Sequence, residues 1–341
     1  MNYLIKDENS QYYKCGYSCD NAIVLSCENE NFFITDSRYT TEANEQVNKN
    51  TSVIESSDLA KTTRELIRKN NIFTIAYDPK EWKISDFENL KEKLPKVNFK
   101  PKENLTLLQR AVKSDKEISF LKEAVSLGSK AFDNLASFLN KTKEPLSEQN
   151  LHFKANEFLT SFGELELSFD PILAINENAA KPHAKPTKNI LKKDDLILFD
   201  AGVKYKRYCS DRTRTAFFSN DFDFSFAQNF KNQKIQKAYD LVLRAHDEAI
   251  KQAKIGMKAS ELDKIARDII AKGGYEKEFV HSLGHGVGLN IHEFPFINKK
   301  SQTILEENMV FTIEPGIYIP NEFGIRIEDM VVLKSDGAYI L

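Results

Sequence analysis

The chain has 341 residues, 41% hydrophobic and 29% charged, with 48 Lys and Arg against 50 Asp and Glu for a formal net charge of −2. That length suggests two domains, and that apolar fraction supports a proper core, which excludes a disordered chain. The near-neutral balance argues against an electrostatic nucleic-acid binder, which shows a basic excess.

In chain order, the opening Met1-Asn2-Tyr3-Leu4-Ile5-Lys6-Asp7 breaks into polar and charged residues too early for a secretory signal. No later run approaches the ~20 apolar residues of a membrane span. A soluble, cytoplasmic protein with no membrane and no nucleic-acid partner is expected. Cys15, Cys19 and Cys27 match no common zinc or redox spacing, and with Cys209 they read as reduced, packed thiols. Residues 21–26 and 31–35 read as a hairpin, 57–70 as a helix and 71–77 as a strand bounded by Asp78-Pro79, a combination that suggests βαβ packing. The polar stretch 96–104, with Pro101, places a boundary near 105, giving domains 1–105 and 106–341.

Helical patterning then takes over. Ser114-Asp115-Lys116-Glu117 has the form of a capping box opening a helix to about 140, and a second helix follows Ser147. A hairpin-like segment spans 194–218. Helices over about 232–254 and 259–272, stopped at Gly256 and at Gly273-Gly274, precede strands that include 309–319 and 324–334. A helix pair followed by a hairpin, twice, predicts an internally duplicated α+β domain.

The acids in these hairpins carry the chemistry. An apolar strand runs into Asp200, and with 204–207 as the loop, Asp211 stands directly opposite across an antiparallel pair. Opposed β-carbons lie about 4.5–5.5 Å apart, so like charges there destabilise a sheet unless a cation sits between them. Glu314 and Glu328, with the turn at 320–323, are predicted to face each other in the same way. Between the hairpins, His281, His285 and His292 account for three of only six histidines, among Gly284, Gly286 and Gly288. Four carboxylates and an imidazole form a mostly hard-oxygen donor set. Two divalent cations balance its charge and make a bridging hydroxide available at neutral pH, with Mn, Co, Fe or Zn favoured over copper.

Asp200-Ala201-Gly202, Ser210-Asp211-Arg212-Thr213-Arg214-Thr215, Gly284-His285-Gly286-Val287-Gly288, Glu314-Pro315-Gly316 and Ile325-Arg326-Ile327-Glu328-Asp329 occur in one order. In that order they resemble the pita-bread metallopeptidases: prolidases, aminopeptidase P and methionine aminopeptidase. The N-terminal Phe33-Ile34-Thr35-Asp36-Ser37-Arg38-Tyr39 resembles the creatinase-type domain of the first two. The resemblance implies a dinuclear enzyme that hydrolyses the bond between an N-terminal residue and proline. Asp200 would hold one metal, Asp211 and Glu328 would bridge both, and His285 and Glu314 would complete the second. Glu314 would also be the general base. His292 and His183 would line the site and stabilise the tetrahedral intermediate, His281 would lie near the proline subsite, and Arg326 would orient a carboxylate. The family also implies a homodimer acting on peptides with proline at position 2.

Alternatives on the same fold are a scaffold that has lost its metal ligands, a metal-free creatinase-like hydrolase and a methionine aminopeptidase. The intact acid set opposes the first two; the N-terminal domain and Arg326 oppose the third. Two residues depart from the family pattern. Phe296 stands after His292-Glu293-Phe294-Pro295 where many prolidases carry an arginine, which favours longer peptides or another carboxylate anchor. Arg212 stands where an apolar residue is usual.

Overall fold

In the computed structural model, which describes residues 1–341, the chain opens as β1 (Asn2–Ile5), α1 (Glu8–Cys15), β2 (Ala22–Ser26), β3 (Asn31–Thr35), α2 (Thr40–Gln46), β4 (Thr51–Glu55), α3 (Leu59–Lys69), β5 (Thr74–Tyr77), α4 (Ile84–Glu92), β6 (Asn98–Pro101) and α5 (Leu105–Gln109). The six strands form one sheet in the order β4-β3-β2-β1-β5-β6. The expected hairpin is there, with Val24 opposite Phe33. β3 runs parallel to β4 and β5 to β6, each pair joined through a helix. Both faces are apolar because both are covered. Leu4, Ile23, Leu25 and Ile34 pack with Leu66 and Ile67 of α3 and Leu90 of α4, whereas Ile5, Val24 and Phe33 pack with Cys15 of α1 and Ala43 of α2. All four cysteines are free thiols, and only Cys27 is not fully buried.

The polar stretch 96–104, read as a separator, contains edge strand β6. The two compact units are Met1–Gln109 and Arg110–Leu341. An edge strand buries little, so its residues can be polar and its Pro101 is tolerated there.

The second unit begins with α6 (Asp115–Lys141) and α7 (Glu148–Leu159). The capping box is formed: Ser114 N donates to Glu117 Oε2 at 2.8 Å and Glu117 N to Ser114 Oγ at 3.4 Å, a cap worth about 1 kcal/mol. Next come β7 (Glu166–Leu167), β8 (Ile172–Ile175), β9 (Leu196–Ala201), β10 (Val203–Tyr205), β11 (Tyr208–Cys209) and β12 (Arg212–Phe217). The second half repeats the plan with α8 (Gln233–Gln252), α9 (Ala259–Lys272), β13 (Gly284–Gly286), β14 (Glu293–Ile297), β15 (Val310–Ile313), β16 (Gly316–Ile319), β17 (Phe323–Arg326), β18 (Asp329–Lys334) and β19 (Gly337–Ile340). At the end of α9 it is Gly274, at φ 92°, that takes the left-handed conformation, whereas Gly273 is the last near-helical residue at φ −75°.

β9 lies between two cores. Its Ile197, Phe199 and Ala201 pack with Phe132 and Leu135 of α6 and Leu151 of α7. Its Leu196 and Leu198 join Val242 of α8, Leu262 of α9 and Phe311, Ile325 and Val331 of the second half. Alternation along the strand therefore puts Asp200 on the face shared with Leu196 and Leu198, toward the second half.

The two hairpins correct one expected register and support the other. Lys206 and Arg207 both have positive φ (47° and 71°) and form a two-residue turn, so Lys204 pairs with Cys209 rather than lying in a loop. Asp200 accordingly faces Thr213, not Asp211. The shift is by two residues, and an even shift leaves Asp200 and Asp211 on the same face. In the second hairpin Ile319 pairs with Phe323 around Asn321 at φ 61°. The register that joins Ile313 to Asp329 and Gly316 to Arg326 sets Glu314 across from Glu328, as expected. Each long strand is interrupted there, between β15 and β16 and between β17 and β18.

Candidate metal centre

The two hairpins meet at their acids. Glu328 N donates to Thr213 O at 3.0 Å, and the Thr213 hydroxyl donates to Glu328 Oε2 at 2.5 Å. Ligand atoms of Asp211, His285 and Glu328 all lie within 4.8 Å of one another. His285 Nε2 is 3.6 Å from Asp211 Oδ2 and 3.5 Å from Glu314 Oε1. Asp200 enters from β9, with Oδ2 bonded to Arg326 and Oδ1 buried without any partner. A cavity of about 430 Å³ is lined by all five of these residues and by His183, His281, His292, Arg326 and Phe296. Every site residue expected from the sequence therefore lines one cavity.

The tautomer of His285 follows from its bonds. Nδ1 lies 3.1 Å from Gly286 O, and a carbonyl only accepts, so Nδ1 carries the proton. Nε2 then presents a lone pair to the acids, the form in which imidazole binds a metal. Burial, with His292 adding to it, lowers the His285 pKa to about 4.

The acids repel one another. Burial and then Asp200 push Glu328 up to about 8. Asp211 is raised by burial and then by Glu328, and Glu314 likewise. Closely packed buried carboxylates with an orphaned oxygen fit a pair of divalent cations, which would neutralise their charge and complete the bonding of Asp200 Oδ1.

Arg326 orients a carboxylate, as the resemblance implied, and sequence reasoning missed only the groups it works with, Thr213 and Tyr318. Arg326 Nη2 donates to Asp200 at 2.5 Å, Nε to Thr213 Oγ1 at 3.0 Å and Nη1 to Tyr318 Oη at 2.6 Å. Burial opposes its charge, but Tyr318, Asp200, Glu328 and Glu314 outweigh that and hold it protonated. Tyr318 in turn donates to His281 Nε2 at 2.9 Å, since His281 Nδ1 is committed to Ser282 O at 2.8 Å. Burial lowers the His281 pKa to about 3, so that ring is neutral. The signal for Tyr318 was available: it lies diagonally across from Arg326 on one face of the β16–β17 pair. Gly316 leaves the space for its ring, since a β-carbon there would sit 2.7 Å from Tyr318 Oη.

A second tie runs the other way. Arg214 of β12 forks onto Asp329 at 2.7 and 2.9 Å and donates to Glu328 O at 2.7 Å. The unusual Arg212 lies over the Phe132 ring at 5.1 Å. Burial, with Arg214 beside it, lowers its pKa to about 10.

Comparison with known proteins agrees with this architecture. Residues 119–335 match the model of metallopeptidase family M24, and residues 2–112 that of the creatinase/prolidase N-terminal domain. An uncharacterized peptidase of Staphylococcus epidermidis is 40% identical over 232 residues, covering 68% of this chain and 62% of that protein. The chain thus matches less than two thirds of that relative's length. A Xaa-Pro dipeptidase of Pyrococcus furiosus is 38% identical over 251 residues, covering 74% of this chain and 68% of that protein. Among solved structures, an X-Pro aminopeptidase from Thermotoga maritima superposes with a TM-score of 0.88 at 31% identity, over 99% of this chain and 94% of that one. The prolidase from Pyrococcus furiosus does so with 0.84 at 32% identity, over 99% and 95%.

Proposed function

The chain belongs to metallopeptidase family M24, and from that premise we propose that it hydrolyses the peptide bond between an N-terminal residue and proline. The observation that carries the reading is the convergence of Asp211, His285 and Glu328 within 4.8 Å, in a cavity that Asp200 and Glu314 also line. These five residues would hold two divalent cations, and the oxygen-rich set suits manganese. When bound, the cations supply activated water at neutral pH and polarise the scissile carbonyl.

The protein's own groups do the rest. Glu314 is the candidate general base, placed to take a proton from the attacking water and return it to the proline nitrogen. His292 and His183 line the cavity and offer donors to the developing oxyanion. His281, held neutral between Tyr318 and Ser282, forms part of the wall at the proline ring. A Xaa-Pro bond has no amide N–H and a locked φ, so a site that grips the carbonyl and the ring does not need the missing hydrogen bond. Phe296 gives the cavity an apolar edge with no carboxylate partner, which supports peptides longer than two residues.

The test is an assay of metal-stripped protein on Ala-Pro and Ala-Pro-Ala, with and without manganese. Manganese-restored cleavage, stronger on the tripeptide, is expected. Bound metal without cleavage of either peptide overturns the reading.

A further inference from the structure

Arg110 and Lys113, each 2% exposed, lie in the stretch leading into α6 and direct both cations at one carboxylate, Glu293, itself 1% exposed. Arg110 Nη2 is 3.1 Å from Glu293 Oε1 and Lys113 Nζ is 3.4 Å from Oε2. Arg110 Nη2 also donates to Asn290 Oδ1 at 2.5 Å, and Asn290 N donates back to Glu293 Oε1 at 2.9 Å. Desolvation offsets most of the Coulomb attraction in such a cluster, so its net contribution to stability is small. Its geometric effect is large.

Glu293 ties down both ends of the 286–293 turn. It pairs with Gly286 across β13 and β14, at the register shift that follows His285. Gly288 lies so close that a β-carbon there would be 2.5 Å from Glu293 Oε2. Asn290, between them, is bonded to the same carboxylate. His292 directly precedes Glu293. Its ring makes no hydrogen bond in the structure and packs against the His285 ring, at a centroid distance of 4.3 Å. With no hydrogen bond to hold the imidazole, its placement depends on the backbone of the turn and on packing against His285.

We propose that Glu293 is a positioning residue: held by Arg110, Lys113 and Asn290, it fixes the 286–293 turn so that the His292 imidazole stands over the site. Its effect on turnover rests on the reading of His292 as an oxyanion donor; its effect on the ring does not.

The experiment pairs Glu293→Gln with Glu293→Gln/Lys113→Met. The single change leaves two buried cations facing a neutral group and risks misfolding. The double change keeps the cluster's net charge and is the variant to rely on. The first readout is the His292 ring resonance in isotope-labelled protein, assigned by its loss in His292→Ala, with His152 as the control. We expect the His292 signal to shift or broaden while His152 stays in place. The second readout is turnover of Ala-Pro-Ala by manganese-loaded protein. We expect kcat to fall about tenfold with KM and metal content held, and no further fall when the change is made in His292→Ala. An unmoved His292 signal overturns the proposal. So does an equal loss with and without His292, or loss of metal in step with activity. If the wild-type chain cleaves no Xaa-Pro peptide, the assigned reaction is wrong, and the resonance still decides the positioning claim.

Discussion

Arg326 and Asp200 belong to different hairpins and meet as a buried ion pair, Nη2 to Oδ2 at 2.5 Å, with the other Asp200 oxygen unpartnered. The arginine orients Asp200 and leaves Oδ1 free, which is what a metal ligand needs. Arg214 and Asp329 cross in the opposite sense, so each hairpin contributes one cation to the other. The site is thus held by two reciprocal ties between the halves of the duplicated domain.

Removing the arginine leaves Asp200 without its counter-charge, a change that costs about 3–5 kcal/mol at buried pairs. Arg326→Met is therefore expected to lower the thermal midpoint by more than about 6 °C and metal affinity by about 10–100-fold. Arg326→Lys keeps the charge but cannot reach Asp200, Thr213 and Tyr318 together, so it should rescue stability better than kcat. Calorimetry and metal titration on the two variants check this. Equal metal affinity in wild type and Arg326→Met would show that Asp200 needs no orientation.

Asp211→Asn should separate stability from activity. It removes the cost of burying a carboxylate and the repulsion from Glu328, Asp200 and Glu314, which together raise the Asp211 pKa. The metal-free variant is expected to melt higher than metal-free wild type, by about 2–4 °C per kcal/mol of relief. It should also bind metal poorly and lose nearly all activity. A lower midpoint in the metal-free variant would contradict a net cost of the buried, repelled Asp211 carboxylate.

The same groups set a pH dependence for the metal-free protein. Glu328 is raised from 4.5 to about 8, and Asp211 and Glu314 are raised as well. Folded protein therefore holds more protons at these acids than unfolded chain does, and their contribution to stability is lost as pH rises through the folded values. His281 and His285 are lowered from 6.5 to about 3 and about 4, and His292 is lowered too. There the unfolded chain holds more protons, so their contribution is lost as pH falls below 6.5. The two effects oppose each other between about pH 5 and 6.5; above it the acids act, and His246, raised against its burial by Asp247 and Asp329, acts in the same sense. The midpoint should be nearly flat in the lower window, fall between about pH 6.5 and 8, and flatten there once metal is bound. A midpoint that rises from pH 6.5 to 8 without metal would refute the assignment.

How much of this could be read from sequence depends on range. The acids at 200, 211, 314 and 328 were found because strand alternation and turn spacing are local rules. Even the misplaced first loop kept the right face, because the shift was two residues. Arg214 with Asp329, and Glu293 with Arg110 and Lys113, join positions 115 and 180 or more residues apart, where no local rule applies. The N-terminal β4 was missed for another reason: it is an edge strand that buries none of its five residues, so it lacks the apolar run that marks β2 and β3.

His292→Ala and His285→Ala should differ although their rings touch at 4.3 Å. His285 presents Nε2 to Asp211 and Glu314, so its loss should remove metal along with activity. His292 contacts none of the acids by hydrogen bond, so its loss should lower kcat by about 10–100-fold with metal content intact. Metal analysis of the purified variants beside their kcat values decides it. Metal lost from His292→Ala would make that residue a ligand.

Phe296 offers a change of substrate preference. It sits directly opposite His285 across β13 and β14, lines the cavity and is 37% exposed. An arginine there keeps its stem along the same apolar wall and carries a guanidinium forward into the cavity, where a dipeptide's terminal carboxylate would meet it as a charge-assisted pair. Such bonds contribute about 1.5–3 kcal/mol. Phe296→Arg is therefore expected to raise kcat/KM on Ala-Pro by roughly tenfold or more relative to Ala-Pro-Ala, mainly through KM. The tripeptide lacks a carboxylate at that position and gains nothing from the new charge. An unchanged ratio would mean that residue 296 does not face the group beyond proline, and the cavity's apolar edge would then belong to the N-terminal residue of the substrate.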